Sequence, residues 1–299
     1  MLRVNIPAST GNIGVGFDSA GLSVSLYNSI DFCINNGALV IEQQFPNPNI
    51  PCDETNLVYV SAKKAADLMG KKLPSLYLRQ HNRIPLASGL GSSAACIVGG
   101  VMIANSVLDA RLSKAGILEI AAELEGHPDN AAPAIYGGIC ISQKTDKGFF
   151  THPIPVKNDL ALCFAVPSFA LSTKEARKVL PKTLPVADAI HNIACMAFLI
   201  SAIYSGQYSL LNQALDDRLH QPYRKQFIPR FDDIIKTALS LGAYGACLSG
   251  AGPTMLAFVN KESAQKFSAE FGATLKSFPG GWNVFAADLD RAGAYIENT

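Results

Sequence analysis

At 299 residues and 48% hydrophobic, the chain can bury one large core or two moderate ones. A formal net charge of +1 without any basic block gives nucleic acid or an anionic membrane surface no electrostatic footing. The longest apolar run, Ile193 to Tyr204, falls short of the roughly 20 residues of a spanning helix.

The first residues, Met1-Leu-Arg-Val-Asn-Ile-Pro7, lack the basic-then-apolar profile of a signal peptide. Leu2, Val4 and Ile6 alternate with polar residues, the period of a half-buried strand. The strand is expected to end in a glycine-rich loop, Pro7-Ala-Ser-Thr-Gly-Asn-Ile-Gly-Val-Gly-Phe-Asp18. Its polar members Ser9, Thr10, Asn12 and Asp18 either face a ligand or cap their own backbone. Leu39 to Glu42 reads as a strand, and Asp53 to Val58 leads into a helix through Ala62, Ala65, Ala66 and Met69.

A short strand, Leu76 to Arg79, then feeds Pro85-Leu-Ala-Ser-Gly-Leu-Gly-Ser-Ser-Ala-Ala95. Two glycines and two serines here precede a helix that is apolar on almost every side, so its open N-terminus points unpaired N–H groups at an anion. The run is neither a Walker A loop nor a dinucleotide fingerprint. Further on, Ile117, Ile120, Ala121 and Leu124 recur at helical spacing. Glu119, Glu123 and Glu125 on that helix form either a solvated face or a magnesium site. His127, Asp129 and Asn130 follow in a turn-rich segment of the kind that faces ligands.

The polar stretch from Lys144 to Asn158 is the best domain boundary. Beyond it come a strand at Leu160 to Val166 and a short helix on which Thr173 and Arg177 share a face. A long apolar helix is expected over 186–204 and another over 208–219. The segment His220-Gln-Pro-Tyr-Arg224 follows, and then a helix over 231–241. A third glycine loop, Gly250-Ala-Gly-Pro253, lies between two strands, and Asn283 to Ala286 is expected to be the last strand. Three such loops beside strands suggest convergence on one phosphate-bearing ligand. Seven cysteines without any C-x-x-C pair favour free thiols in a reducing cytoplasm over disulfides or zinc.

The run from Pro85 to Ala95 resembles the central motif of the GHMP kinases, which phosphorylate galactose, homoserine, mevalonate and phosphomevalonate. Pro7 to Ser19 is similar to the first motif in its homoserine kinase form, and Leu248-Ser-Gly-Ala-Gly-Pro-Thr254 to the third. Asn56-Leu-Val58, Glu125 to Pro133 and His220 to Arg224 are similar to further segments of that branch, so the resemblance runs end to end. One departure is Gly11, where the pattern usually has alanine; glycine should loosen that loop.

The resemblance implies an α+β two-domain sandwich. Residues 1–155 would form an ATP-binding domain like the second domain of ribosomal protein S5, and 156–299 a ferredoxin-like domain. It implies magnesium-dependent transfer of phosphate from ATP to the side-chain hydroxyl of L-homoserine, in threonine biosynthesis. Asn56, Leu57 and Val58 match the adenine pocket. Pro85, Leu86, Ala87, Ser88, Gly89, Leu90, Gly91, Ser92, Ser93, Ala94 and Ala95 match the phosphate loop. Ser93 and Glu123 match the magnesium ligands, with Glu125 a second candidate because the connection to His127 varies in length. Asp18, with Asn12 beside it, matches the carboxylate that meets the substrate ammonium; Arg177 and Arg224 match the clamp on its carboxylate, and Thr173 lies beside them. Asn130 and its neighbour Asp129 match the residues near the reacting hydroxyl. Small molecules are the expected partners, with no nucleic acid or membrane, and the family admits a homodimer. Two rivals stand beside this reading: another small-molecule kinase of the family, such as a mevalonate kinase, and a non-catalytic sensor on the same fold.

Overall fold

The alternation at Leu2, Val4 and Ile6 builds a strand that outruns the alternation itself. In the computed structural model, which describes residues 1–299, β1 covers Leu2–Asn12 and pairs antiparallel with the long β2, Gly16–Ile34. The stretch read as a glycine-rich loop is therefore mostly strand, with a turn only at 13–15. Small residues there serve a packing purpose. A Cβ on Gly21 of β2 would come within 1.7 Å of the Asp129 carbonyl oxygen, so the hairpin can press directly on the segment carrying His127 to Asn130.

Next come β3 (Val40–Gln43), α1 (Leu57–Leu68), β4 (Leu76–His81), α2 (Ser92–Val107), α3 (Lys114–Glu125), α4 (Ala131–Tyr136), β5 (Ile139–Thr145) and β6 (Gly148–Ile154). Residues 29–34 of β2 pair with β4, whereas Ala20–Leu22 pair with β5. The polar run from Lys144 is thus a β-hairpin before it becomes a connection, and the chain crosses to a second sheet between Ile154 and Leu160.

That sheet begins with β7 (Leu160–Val166). After it come α5 (Thr173–Lys178), α6 (Val186–Ser205), α7 (Leu211–Ala214), α8 (Gln221–Arg224), α9 (Phe231–Ser240), β8 (Gly245–Leu248), β9 (Met255–Asn260), α10 (Ala264–Leu275) and β10 (Asn283–Asp288). Its antiparallel order β10-β7-β9-β8 places the first of its strands beside the last, as in a ferredoxin-like βαββαβ unit. Every residue of β7 is buried. Leu160, Leu162, Phe164 and Val166 enter the main core, while Ala161, Cys163 and Ala165 enter a second core with α9 and α10.

The helix expected over 208–219 is broken into a 3-10 turn and the short α7. The chain also does not finish at β10. A further strand, β11 (Tyr295–Asn298), returns to the first sheet and pairs with β1, a non-local pairing that a four-residue pattern cannot announce.

One composition-based exclusion needs correction. α6 is 20 residues long and, by length and apolarity alone, sufficient to cross a membrane. His191 and Asn192, with Asp188 in the first turn, interrupt the apolar run, so an unbroken run undercounts the helix. Here its inner face is packed into the main core through Cys195, Leu199, Ala202 and Ile203.

Candidate active site

The three glycine-bearing segments meet at one place. Ser9 N donates to the Leu90 carbonyl, Gly250 N to that of Gly11 and Thr254 N to that of Ser88, each at 3.2 Å. Ser249, fully buried, bridges all three: its Oγ lies 2.8 Å from both Thr10 Oγ1 and the Gly89 carbonyl oxygen. A Cβ on Gly89 would come within 2.4 Å of the Ser249 carbonyl oxygen, so only glycine permits this approach.

α2 begins at Gly91, which sits at φ 68 and offers no side-chain cap. Ser92 and Ser93 therefore do not cap the helix, and the first-turn N–H groups remain directed at the cavity above them. Ala87 (φ 48), Asn12 (φ 67) and Asp18 (φ 53) also adopt left-handed conformations around this spot, a concentration of strain that suits a ligand site. Two connected cavities share Ala87, Gly89, Ser92, Ser93 and Thr173. The polar one is about 110 Å³ and the apolar one about 390 Å³.

Asn56 and Leu57 line the apolar cavity. Asn56 caps α1 by accepting from Val58 N at 3.0 Å, and its amide exchanges hydrogen bonds with Gln80. Val58 itself is buried in the core and lines neither cavity. In the phosphate loop, Leu86 to Gly89 and Gly91 to Ser93 reach the cavities, whereas Pro85, Leu90, Ala94 and Ala95 support them from behind.

Of the two glutamates expected near Ser93, α3 presents Glu125. Glu123 is exposed and absent from the cavity, whereas Glu125 Oε2 accepts from Ser93 Oγ at 2.9 Å. Two residues along a helix turn the side chain by about 200°, so only one of the pair can face α2. The helix ends at Gly126, which leaves Glu125 as the last side chain before the turn. Burial pushes its carboxyl above the usual range, and the His127 charge and the Ser93 hydroxyl only partly counter that. Two hard oxygens 2.9 Å apart match adjacent positions on a magnesium octahedron, whose radius of about 2.05 Å implies a spacing of about 2.9 Å. Asp18, His127 and Asp129 also bring donor atoms within 4.8 Å of one another, but Asp18 and Asp129 already have basic partners.

Glu119, the third glutamate of this helix, is exposed and accepts from Phe149 N at 3.1 Å, away from the cavity.

Asp129, 2% exposed, accepts from His127 Nδ1 at 2.5 Å. Burial works against the imidazolium, but the Asp129 bond and charge outweigh it and raise the His127 pKa. Asn130 Oδ1 accepts from Ser9 Oγ at 3.2 Å, which orients the amide over the polar cavity. Gly11 has a purpose that loosening does not describe. A Cβ there would fall 2.0 Å from Asp129 Oδ2 and 2.8 Å from Asn130 Nδ2, so the glycine makes room for both side chains.

Asp18 and Arg177, expected at opposite ends of an amino acid, are paired with each other by bonds of 2.6 and 3.0 Å. Asn12 Oδ1 holds the Asp18 backbone at 3.0 Å. Arg224 is 1% exposed and donates to the Ala176 carbonyl at 3.1 Å and to His220 Nδ1 at 3.2 Å. Burial, with the nearby Arg177, lowers its pKa to about 10. His220, fully buried, is held neutral by burial, and its Nε2–H donates to the Gly14 carbonyl at 2.6 Å. Thr173 and Arg177 line the same cavity.

Three further residues take part in the site. Phe17 stacks with both guanidiniums at 5.3 Å, keeping two like charges in place by cation–π attraction. Its aromatic position beside Asp18 was the available signal. His220 and Ser249 lie within segments that resemble family motifs, but their contacts to Gly14, Thr10 and Gly89 join residues distant in sequence.

The GHMP kinases N terminal domain model matches residues 56–138, and the GHMP kinases C terminal model matches residues 199–277. A homoserine kinase of Clostridium botulinum (strain Alaska E43 / Type E3) is 41% identical over 302 residues, covering 99% of this chain and 98% of that protein. A homoserine kinase of Caldicellulosiruptor bescii is 40% identical over 300 residues, covering 99% and 97%. The crystal structure of homoserine kinase from Cytophaga hutchinsonii is 28% identical with a TM-score of 0.88, covering 99% of this chain and 97% of that one.

Proposed function

The chain belongs to the GHMP kinase family, and we propose that it is a homoserine kinase. It transfers the γ-phosphoryl group of ATP to the side-chain hydroxyl of L-homoserine, releasing ADP and O-phospho-L-homoserine. The observation that carries this choice of acceptor is the pair Arg177 and Arg224 lining the polar cavity, with the Asp18 carboxylate bonded to Arg177 beside them. A zwitterion answers both charge signs there, which neither mevalonate nor a sugar does.

Residues 1–155 supply most of the ATP site and 156–299 the acceptor clamp. The base occupies the apolar cavity beside Asn56 and Leu57, and the phosphates lie over Gly89, Gly91, Ser92 and Ser93 at the open end of α2. Ser93 and Glu125 fit a magnesium ion, which when bound supplies the positive charge that a Walker lysine provides elsewhere. On substrate binding, Asp18 exchanges Arg177 for the ammonium group, and Arg177 joins Arg224 on the carboxylate. Asn130, held by Ser9, orients the hydroxyl towards the γ-phosphorus. The transition state of phosphoryl transfer is loose, so alignment and charge neutralisation are sufficient and the hydroxyl proton leaves late, to the phosphoryl oxygens. Seven free cysteines suit the reducing cytoplasm where threonine biosynthesis would run.

A coupled assay of ADP release with ATP, magnesium and L-homoserine tests this reading on the wild type and Arg224→Ala. Turnover by the wild type, and a large loss of homoserine affinity in the variant with ATP binding intact, is the expected result. ATP binding without any phosphorylated product would favour a sensor instead.

A further inference from the structure

His220 is completely buried, yet both of its ring nitrogens have polar partners, drawn from opposite halves of the chain. On one side Nε2 lies 2.6 Å from the Gly14 carbonyl oxygen, in the turn between β1 and β2. On the other, Nδ1 lies 3.2 Å from Nη1 of Arg224. A carbonyl can only accept and a guanidinium can only donate, so Nε2 carries the proton and Nδ1 offers its lone pair. An imidazolium would turn an N–H against the arginine, and burial also holds the ring neutral. Asp217 Oδ2 accepts from the backbone N–H groups of His220 and Gln221 at 2.8 and 2.6 Å, which fixes the start of α8. The same oxygen is 3.7 Å from Nε2, too far to compete with Gly14.

We propose that His220 is the positioning residue of the carboxylate clamp, setting which edge of the Arg224 guanidinium faces the acceptor. The proposal rests on the homoserine kinase reading. Arg224 Nε donates to the Ala176 carbonyl at 3.1 Å, and Nη1 is held by His220, with the Gly250 carbonyl oxygen further off at 3.4 Å. Nη2 has no protein partner, and Arg224 lines the polar cavity, so Nη2 is the nitrogen left for a carboxylate. Phe17 keeps the group from swinging away: its ring centroid is 5.4 Å from that of the imidazole and 5.3 Å from Arg224 Cζ. An arginine held beforehand loses less side-chain freedom on binding than a free one. The Gly14 bond adds control of distance. Asp18 follows Gly14 closely in the same hairpin, so one imidazole sets the gap between the ammonium and carboxylate ends of the clamp. His220 itself lines neither cavity and acts only through these neighbours.

Two substitutions separate the roles of the two ring nitrogens. The side-chain oxygen of asparagine falls near the place of Nδ1 and keeps an acceptor for Arg224. The amide nitrogen of glutamine falls near the place of Nε2 and keeps only the donor to Gly14. Steady-state kinetics of the full-length enzyme with ATP, magnesium and L-homoserine should show KM for homoserine raised about 10- to 100-fold in His220→Gln. Its kcat and its KM for ATP should stay within about threefold of wild type, the mark of lost acceptor binding alone. His220→Asn should recover most of that loss while melting at a lower temperature. Equal kinetic losses in both variants, or a KM for ATP that rises with that for homoserine, would make His220 merely structural and overturn the proposal. So would a homoserine KM within about twofold of wild type in His220→Gln. If either variant folds poorly, nitrogen-15 NMR of histidine-labelled wild type decides. One ring protonated at Nε2, bare at Nδ1 and untitrated between about pH 6 and 8 is expected, and the absence of any such ring overturns the proposal. A wild type that does not phosphorylate homoserine overturns the kinase reading, and the role with it, whatever the tautomer.

Discussion

Replacing Arg177 with alanine has opposite consequences for two acceptors. Without a substrate, its guanidinium is committed to Asp18 by bonds of 2.6 and 3.0 Å. Both side chains are more than a third exposed, at 37% and 35%, so the pair contributes only about 0.2–1 kcal/mol. A substrate carboxylate gains charge-assisted bonds of about 1.5–3 kcal/mol from the same group. The difference, about 0.5–2.8 kcal/mol, corresponds to a fall in kcat/KM for L-homoserine of about 2- to 110-fold. It should appear in KM for homoserine, with KM for ATP unchanged. For 3-aminopropan-1-ol, which has the ammonium and hydroxyl but no carboxylate, the sign reverses: Arg177→Ala frees Asp18 and should leave turnover equal or better. ADP release read through a coupled enzyme measures both. A homoserine KM within twofold of wild type, or an equal loss with the amino alcohol, would refute the reasoning.

Glu125→Gln should abolish magnesium-dependent turnover while raising the melting temperature near pH 8. Burial lifts the native pKa of Glu125 above its unfolded value, so its unfavourable effect on stability grows as pH rises through the native pKa. The gain should vanish well below the unfolded pKa of about 4.3, and scanning calorimetry across pH checks it. Asn130→Ala should lower kcat at saturating homoserine, and steady-state kinetics with near-normal turnover would remove its orienting role. Ser249→Ala breaks the bridge between Thr10 and Gly89 and should cost about 1–3 kcal/mol in denaturant unfolding, with a higher KM for ATP.

Local patterns carried the ATP end of the site. Glycines with serines at a helix start constrain backbone over a few residues, so the loop from Pro85 to Ala95 and the buried α2 could be read directly. The convergence of the three glycine segments was also legible, because each lies at the end of a strand. What escaped depends on distances between remote residues. Glu123 and Glu125 are indistinguishable as letters, and only the direction of α3 against α2 brings Glu125 to Ser93. Gly11 looked like a loosened loop until Asp129, over a hundred residues later, filled the space its missing side chain leaves. Asp18 and Arg177 were expected at opposite ends of the acceptor, and their mutual pairing needs the fold. The α6 helix was expected over 186–204, but counting only the apolar run after His191 and Asn192 understated its length.

The most direct test of the account is a comparison of acceptors with purified enzyme, ATP and magnesium. L-homoserine, mevalonate, galactose and L-threonine are supplied separately, and the phosphorus NMR spectrum of each product is recorded. The Asp18, Arg177 and Arg224 constellation predicts a phosphomonoester from L-homoserine at a kcat/KM far above the other three. A phosphorylated product formed faster from mevalonate or galactose, or none from homoserine, would contradict it.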